Sequence, residues 1–147
     1  MPSDKDQVGY VMSKKVVTVT QDAPIASVLK LMVKHGIGSV VVLEGGKPVG
    51  MITERDFVNQ ISEHGARALE GRVSRVASRP LVSVGPKTEI WEAFTIMLRK
   101  KIRRLAVMKD ERLVGIVTER DLFRWVVMVA YEPNIPAEIS KLIAQNP

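Results

Sequence analysis

The chain has 147 residues and no cysteine, which removes disulfides, thiolate metal centres, iron–sulfur clusters and cysteine nucleophiles. Two histidines, His35 and His64, are too few for a histidine-rich metal site, and an apolar share of 46% argues against disorder. Twenty-two basic against 16 acidic residues leave a net charge of +6, which suits a phosphate-bearing partner (nucleotide, nucleic acid or anionic surface) and equally a solvated lysine-rich face.

The length fits one compact domain, or two small units sharing one core. No apolar run reaches the roughly 18–20 residues of a membrane helix. The opening Met1-Pro-Ser-Asp-Lys-Asp6 has no apolar core. The expectations are therefore no membrane span, no signal peptide and a cytoplasmic setting.

In chain order, Val16–Val19 reads as a short β-branched strand. Gln21-Asp-Ala-Pro24 starts a helix, with Asp22 as cap and Pro24 in the first turn. Ile25, Val28, Leu29, Met32 and Val33 recur at helical spacing, and Gly36 ends the stripe. Ser39–Leu43 is an apolar strand, Glu44–Lys47 a turn and Pro48–Ile52 the return strand. A second helix follows Thr53. After a connection over 62–72 the same order returns: strand Leu81–Val84, a helix striped by Ile90, Ala93, Phe94, Met97 and Leu98, strands Leu105–Met108 and Leu113–Val117 around the turn Lys109–Arg112, and a helix after Thr118 running through Val129. Pro133 and Pro136 break the chain, and 136–145 reads as a short extra helix.

The two halves are copies. Thr53-Glu-Arg-Asp56 recurs as Thr118-Glu-Arg-Asp121, an offset of 65 residues. The same offset, without a gap, aligns Val17 with Val82, Ile25 with Ile90, Met32 with Met97, Ile37 with Ile102 and Val49-Gly50 with Val114-Gly115. Two copies are too few for a solenoid, so the pair is expected to close on itself about a pseudo-twofold axis. The expected division is repeat 1 over 8–61, linker 62–72, repeat 2 over 73–130 and an extension over 131–147.

Thr53 and Asp56 stand three apart at a helix start, the spacing of a capping box with aspartate in place of glutamate. That explains the pair without a ligand. It does not explain Gly50 and Gly115 inside apolar strands, where glycine implies close approach of another backbone or of a ligand. An ionised carboxylate also accepts two vicinal ribose hydroxyls, which makes Asp56 and Asp121 candidates for that role. A threonine hydroxyl and free N–H groups at a helix start suit a phosphate.

Gly50-Met-Ile-Thr-Glu-Arg-Asp56 and Gly115-Ile-Val-Thr-Glu-Arg-Asp121 resemble the signature of cystathionine β-synthase (CBS) domains, which occur in tandem as the Bateman module. The resemblance covers about residues 8–126. It implies an α+β fold of two β-α-β-β-α repeats packed sheet to sheet. It implies binding of AMP, ADP, ATP or S-adenosylmethionine, with no catalysis and no metal. It also implies clefts built crosswise. One would set Thr53, Arg55 and Asp56 with Val82, Ser83, Ile102, Arg103 and Arg104. The other would set Thr118, Arg120 and Asp121 with Val17, Thr18, Ile37, Gly38 and Ser39. Because Arg103-Arg104 replaces Gly38-Ser39, the first set is expected to bind phosphate more strongly. Neighbouring strand residues point to opposite faces, so one arginine faces the ligand unless the pair precedes the strand.

The resemblance further implies a homodimer through helices, with Val58, Ile61, Phe94, Trp125, Val126 and Val129 as contributors. The alternative is that these residues line the intramolecular core. With no effector domain recognised on the chain, any output would pass to a protein partner in trans or through assembly. The run Arg99-Lys-Lys101 with Arg103-Arg104 keeps nucleic-acid binding as a minority reading, but seven aromatics without periodic interleaving give base stacking little support. No paired nucleophile and base is evident, so an enzyme is not expected.

Overall fold

The computed structural model describes residues 3–131, 137–138 and 141. Of the expected helix over 136–145, residues 137–138 and 141 are helical, and the rest of that span lies outside the described residues.

In the first repeat, β1 (Thr18–Thr20) runs parallel to β2 (Ser39–Glu44), which pairs antiparallel with β3 (Lys47–Thr53). Helix α2 (Ile25–His35) connects β1 to β2 and buries Ile25, Val28 and Met32; α3 (Glu54–His64) follows β3 and buries Phe57. These side chains share one core with Val19, Val40, Val42, Ile52 and Val73. The apolar stripe of α2 is narrower than its spacing predicts, because Val33 is 84% exposed. The helix also starts differently. Pro24 is itself the cap residue, in extended backbone, and Asp22 does not cap. The first amide, that of Ile25, instead donates to the carbonyl of Gly71 at 3.1 Å. Gly36 closes the helix in the left-handed conformation expected of it (φ 60°, ψ 40°).

The second repeat follows the same plan. β4 (Ser83–Val84) is parallel to β5 (Arg104–Lys109), and β5 is antiparallel to β6 (Arg112–Thr118). Helices α4 (Ile90–Lys100) and α5 (Glu119–Tyr131) occupy the places of α2 and α3. Leu98, like Val33, is exposed, at 74%. The left-handed positions differ in residue type. Lys101 stands where Gly36 does (φ 54°), and Asp110 (φ 50°) and Glu111 (φ 64°) replace the turn glycines Gly45 (φ 56°) and Gly46 (φ 80°).

Two compact units result, and neither is one repeat alone: Val16–Val82 forms one, and Met1–Lys15 with Ser83–Pro147 the other. Each unit takes the short segment that leads into the other repeat. The 3₁₀ turn Asp4–Asp6 and helix α1 (Val8–Val11), which make up most of one such segment, are not among the elements expected from sequence. The second unit holds Val8 N–H to Thr88 O (2.8 Å), Gly9 N–H to Pro86 O (2.8 Å) and Ser13 N–H to Ile116 O (2.8 Å). The first unit holds the bonds displaced by 65: Val73 N–H to Ala23 O (2.9 Å), Ser74 N–H to Gln21 O (2.9 Å) and Ser78 N–H to Met51 O (2.9 Å). The repeat is thus reproduced bond for bond, and Val8 and Val73 are both fully buried anchors.

Candidate functional site

Each strand glycine sits where one of these exchanged segments crosses. A Cβ on Gly50 would lie 2.7 Å from the carbonyl oxygen of Ser78. One on Gly115 would lie 2.8 Å from that of Ser13 and 2.7 Å from Met12 Sδ. Both glycines also face a register shift in the neighbouring strand. The close approach of another backbone, one of the two readings the sequence leaves open, is present at both glycines.

Three residues after each glycine, the capping box is formed. Thr53 N–H donates to Asp56 Oδ2 at 2.8 Å, Thr53 Oγ1–H donates to the same oxygen at 3.2 Å, and Asp56 N–H donates to Thr53 Oγ1 at 3.4 Å. The second copy is tighter, at 2.8, 2.9 and 3.2 Å for Thr118 and Asp121. The amides of Glu54 and Glu119 donate to the carbonyls of Gly38 (3.1 Å) and Arg103 (2.8 Å). Free N–H groups for a phosphate are therefore fewer than expected, since two first-turn amides of each helix are already bonded.

The remaining carboxylate oxygens differ. Asp56 is half-buried, and its Oδ1 accepts a hydrogen bond from Ser78 Oγ at 3.2 Å. Asp121 is only 8% exposed, and its Oδ1 lies 3.9 Å from Arg124 Nη2. Neither Ser78 nor Arg124 was singled out in sequence. Ser78 repeats Ser13 at the offset of 65, and Arg124 follows Asp121 by one helical turn, so both carried a usable signal.

The other expected residues fall as follows. In the unit Val16–Val82, Ser39 pairs with Thr53 across β2 and β3, with Gly38 and half-buried Ile37 just before it. Thr18 is exposed on β1, half-buried Val17 offers its carbonyl to Val41 N–H, Arg55 is exposed, and half-buried Val82 closes the unit. In the other unit, Arg104 pairs with Thr118, and Arg103 precedes the strand, its exposed guanidinium 3.6 Å from Glu119. Ile102 is half-buried, and Ser83 and Arg120 are exposed. Each unit thus joins the strand start and helix start of its own repeat. Each crosswise set draws on both units.

Among the expected dimer contributors, Val58, Ile61 and Val129 are exposed, while Trp125 is buried and donates from Nε1 to Lys5 O at 2.7 Å. Trp91 is exposed and meets Trp125 edge to face at 5.5 Å. Among the described residues there is no cluster of three or more His, Cys, Asp or Glu fit for a metal, and no helix is long and apolar enough to cross a membrane.

The model of the family described as CBS domain matches residues 8–63 and 73–128. The chain is 36% identical over 136 residues to the protein MK0525 of Methanopyrus kandleri, covering 91% of this chain and 66% of that one. The CBS-domain protein ATU1752 of Agrobacterium tumefaciens superposes with a TM-score of 0.77 at 28% identity, over 81% of this chain and 92% of that one. The CBS domain pair of MJ0100, solved with 5′-methylthioadenosine and S-adenosyl-L-methionine, shares the fold with a TM-score of 0.73 at 24% identity, over 80% of this chain and 93% of that one.

Proposed function

We propose, for a chain that belongs to the CBS domain family, a regulatory module that binds an adenine nucleotide of the AMP, ADP or ATP class. It signals by ligand-dependent shape or assembly, as a homodimer acting on a partner protein in trans, and performs no chemistry of its own. The observation that supports this reading best is at Asp56. A serine hydroxyl occupies its Oδ1 at 3.2 Å, so a ribose hydroxyl would replace one donor by another of the same kind. At Asp121 an entering hydroxyl would compete with a guanidinium at 3.9 Å beside a carboxylate that is nearly buried. The set of Thr53, Arg55, Asp56, Val82, Ser83, Ile102, Arg103 and Arg104 is accordingly the stronger site. The set of Val17, Thr18, Ile37, Gly38, Ser39, Thr118, Arg120 and Asp121 is the weaker. In the stronger set the aspartate holds ribose, the arginines hold phosphate and the apolar members enclose adenine.

Calorimetric titration of AMP, ATP and S-adenosylmethionine at about 150 mM salt tests this. A nucleotide binds the wild type, and Asp56→Ala weakens it by at least about tenfold, the loss of one charge-assisted hydrogen bond, whereas Asp121→Ala weakens it less. Binding of S-adenosylmethionine alone keeps the module and changes its ligand. No binding of any of the three, together with RNA affinity that collapses by about 10³-fold or more between 50 and 200 mM salt, overturns the reading in favour of a nucleic-acid regulator.

A further inference from the structure

In the unit containing the second repeat, α5 carries an open groove of about 730 Å³, lined by Tyr10, Trp125, Met128 and Val129 and by the charged Lys5, Asp121 and Arg124. The other unit carries a smaller concavity of about 460 Å³ against α3. The two are one feature. Displaced by 65, Lys5, Tyr10, Val11, Trp125 and Val129 fall on Glu70, Arg75, Val76, Gln60 and His64, all of which line the α3 concavity.

The chain treats the two copies differently. After α3, Gly65 turns it back (φ 61°) into the 3₁₀ segment Gly65–Leu69. That segment packs on α3 and places Ala68, 5% exposed, in the wall of the concavity. The residue aligned with Gly65 is Ala130, and α5 runs on to Tyr131. The groove on α5 is left wider and more apolar, with Tyr10 61% and Val129 57% exposed.

We propose that this groove is covered in cis by the residues that follow α5, 132–147. By the repeat register the first of these residues, 132–134, correspond to 67–69, the end of the segment that closes the α3 concavity, and Pro133 aligns with Ala68. They also have the matching chemistry. Ile135, Ile139, Leu142 and Ile143 fall at i, i+4, i+7 and i+8, one apolar stripe if helical. Ala137 and Lys141, helical and exposed, lie on the opposite side of that wheel. The acidic Glu132 and Glu138 complement a groove whose cations, Lys5 and Arg124, outnumber its one carboxylate, Asp121. The occupant is joined directly to the helix that lines the groove, so the loop to be closed is short.

Hydrogen exchange read by mass spectrometry tests the proposal. It compares the full chain, a chain ending at Tyr131, and the full chain with Ile139→Asp and Leu142→Asp together. Residues 5–12 and 124–131 are expected to exchange about tenfold or more faster in both variants, with 60–76 unchanged. A synthetic 132–147 peptide restores protection to the shortened chain, and Ile139→Val with Leu142→Met leaves the full chain at wild-type rates. If the shortened chain fails to fold, the double aspartate variant carries the test. Unchanged exchange in that variant overturns the proposal. So does groove protection that rises with protein concentration in step with a dimer seen by light scattering, because the cover would then be a second copy.

Discussion

Replacing Gly50 with alanine tests the most constrained point of the first repeat. The new methyl carbon would stand 2.7 Å from the Ser78 carbonyl oxygen and 3.0 Å from Arg79 Cγ. The first neighbour is backbone, so the segment around Ser78 must move away from β3. That segment is held by Ser78 N–H to Met51 O at 2.9 Å and Met51 N–H to Ser78 O at 3.1 Å. Overpacking costs about 1–3 kcal/mol, and each weakened hydrogen bond about 0.5–1.5 kcal/mol. With both bonds weakened the sum is about 2–6 kcal/mol. For a chain of this length each kcal/mol lowers the melting temperature by about 2–4 °C, so Tm should fall by about 4–24 °C. Urea and thermal unfolding followed by far-ultraviolet circular dichroism give the value. Gly85→Ala is the control, since its Cβ would meet nothing closer than 3.8 Å. A Gly50→Ala protein as stable as Gly85→Ala, but impaired in nucleotide binding, would refute the argument and return the glycine to the ligand.

Two further substitutions act on the left-handed positions of the second repeat. Lys101→Gly and Glu111→Gly are each expected to raise stability by about 0.5–1 kcal/mol in urea unfolding, because L-residues there carry a backbone cost that Gly36 and Gly46 avoid. The reverse change Gly36→Lys should lose a similar amount. Removing the cap hydroxyls should separate the two helices. Thr118→Ala is expected to cost about 1–2 kcal/mol and Thr53→Ala about 0.5–1 kcal/mol, since the second box is shorter and its carboxylate more buried. Equal losses in the same unfolding assay would count against that ranking.

The repeat, the strand–helix order and the duplicated Thr-x-x-Asp were legible in sequence because each is a local pattern written twice. What was not legible lies in pairings between distant residues. Ser13 bonds to Ile116, and no local signal announces a partner so far along the chain. Val8 is identical to Val73 and Ser13 to Ser78 at the offset of 65, which marks these segments as part of the repeat but does not show that each packs on the other copy. Pro24 misled for a different reason. Its fixed backbone angle suits either the cap or the first turn, and the carbonyl of Gly71, which takes the place of a side-chain cap, comes from the linker. The exposure of Val33 and Leu98 marks the limit of periodicity, which finds an apolar face without saying how much of it is covered.

The two aspartates show how copies of one motif diverge without changing a letter of it. Both carboxylates close the same box through Oδ2, so the signature alone cannot rank them. The difference enters through Oδ1, from residues outside the motif. Ser78 arrives on an exchanged segment and donates a hydroxyl to Asp56. Arg124 stands one turn along α5 beside Asp121, where the first repeat has Asn59. A hydroxyl yields to another hydroxyl at little net cost, because donor number and charge are conserved. A cation beside a nearly buried carboxylate does not yield so easily, since moving it leaves charge without compensation. Two capping boxes of one motif therefore hold their second carboxylate oxygens differently, one against a hydroxyl and one beside a guanidinium, and it is on this difference that the proposed ranking of the two sites rests.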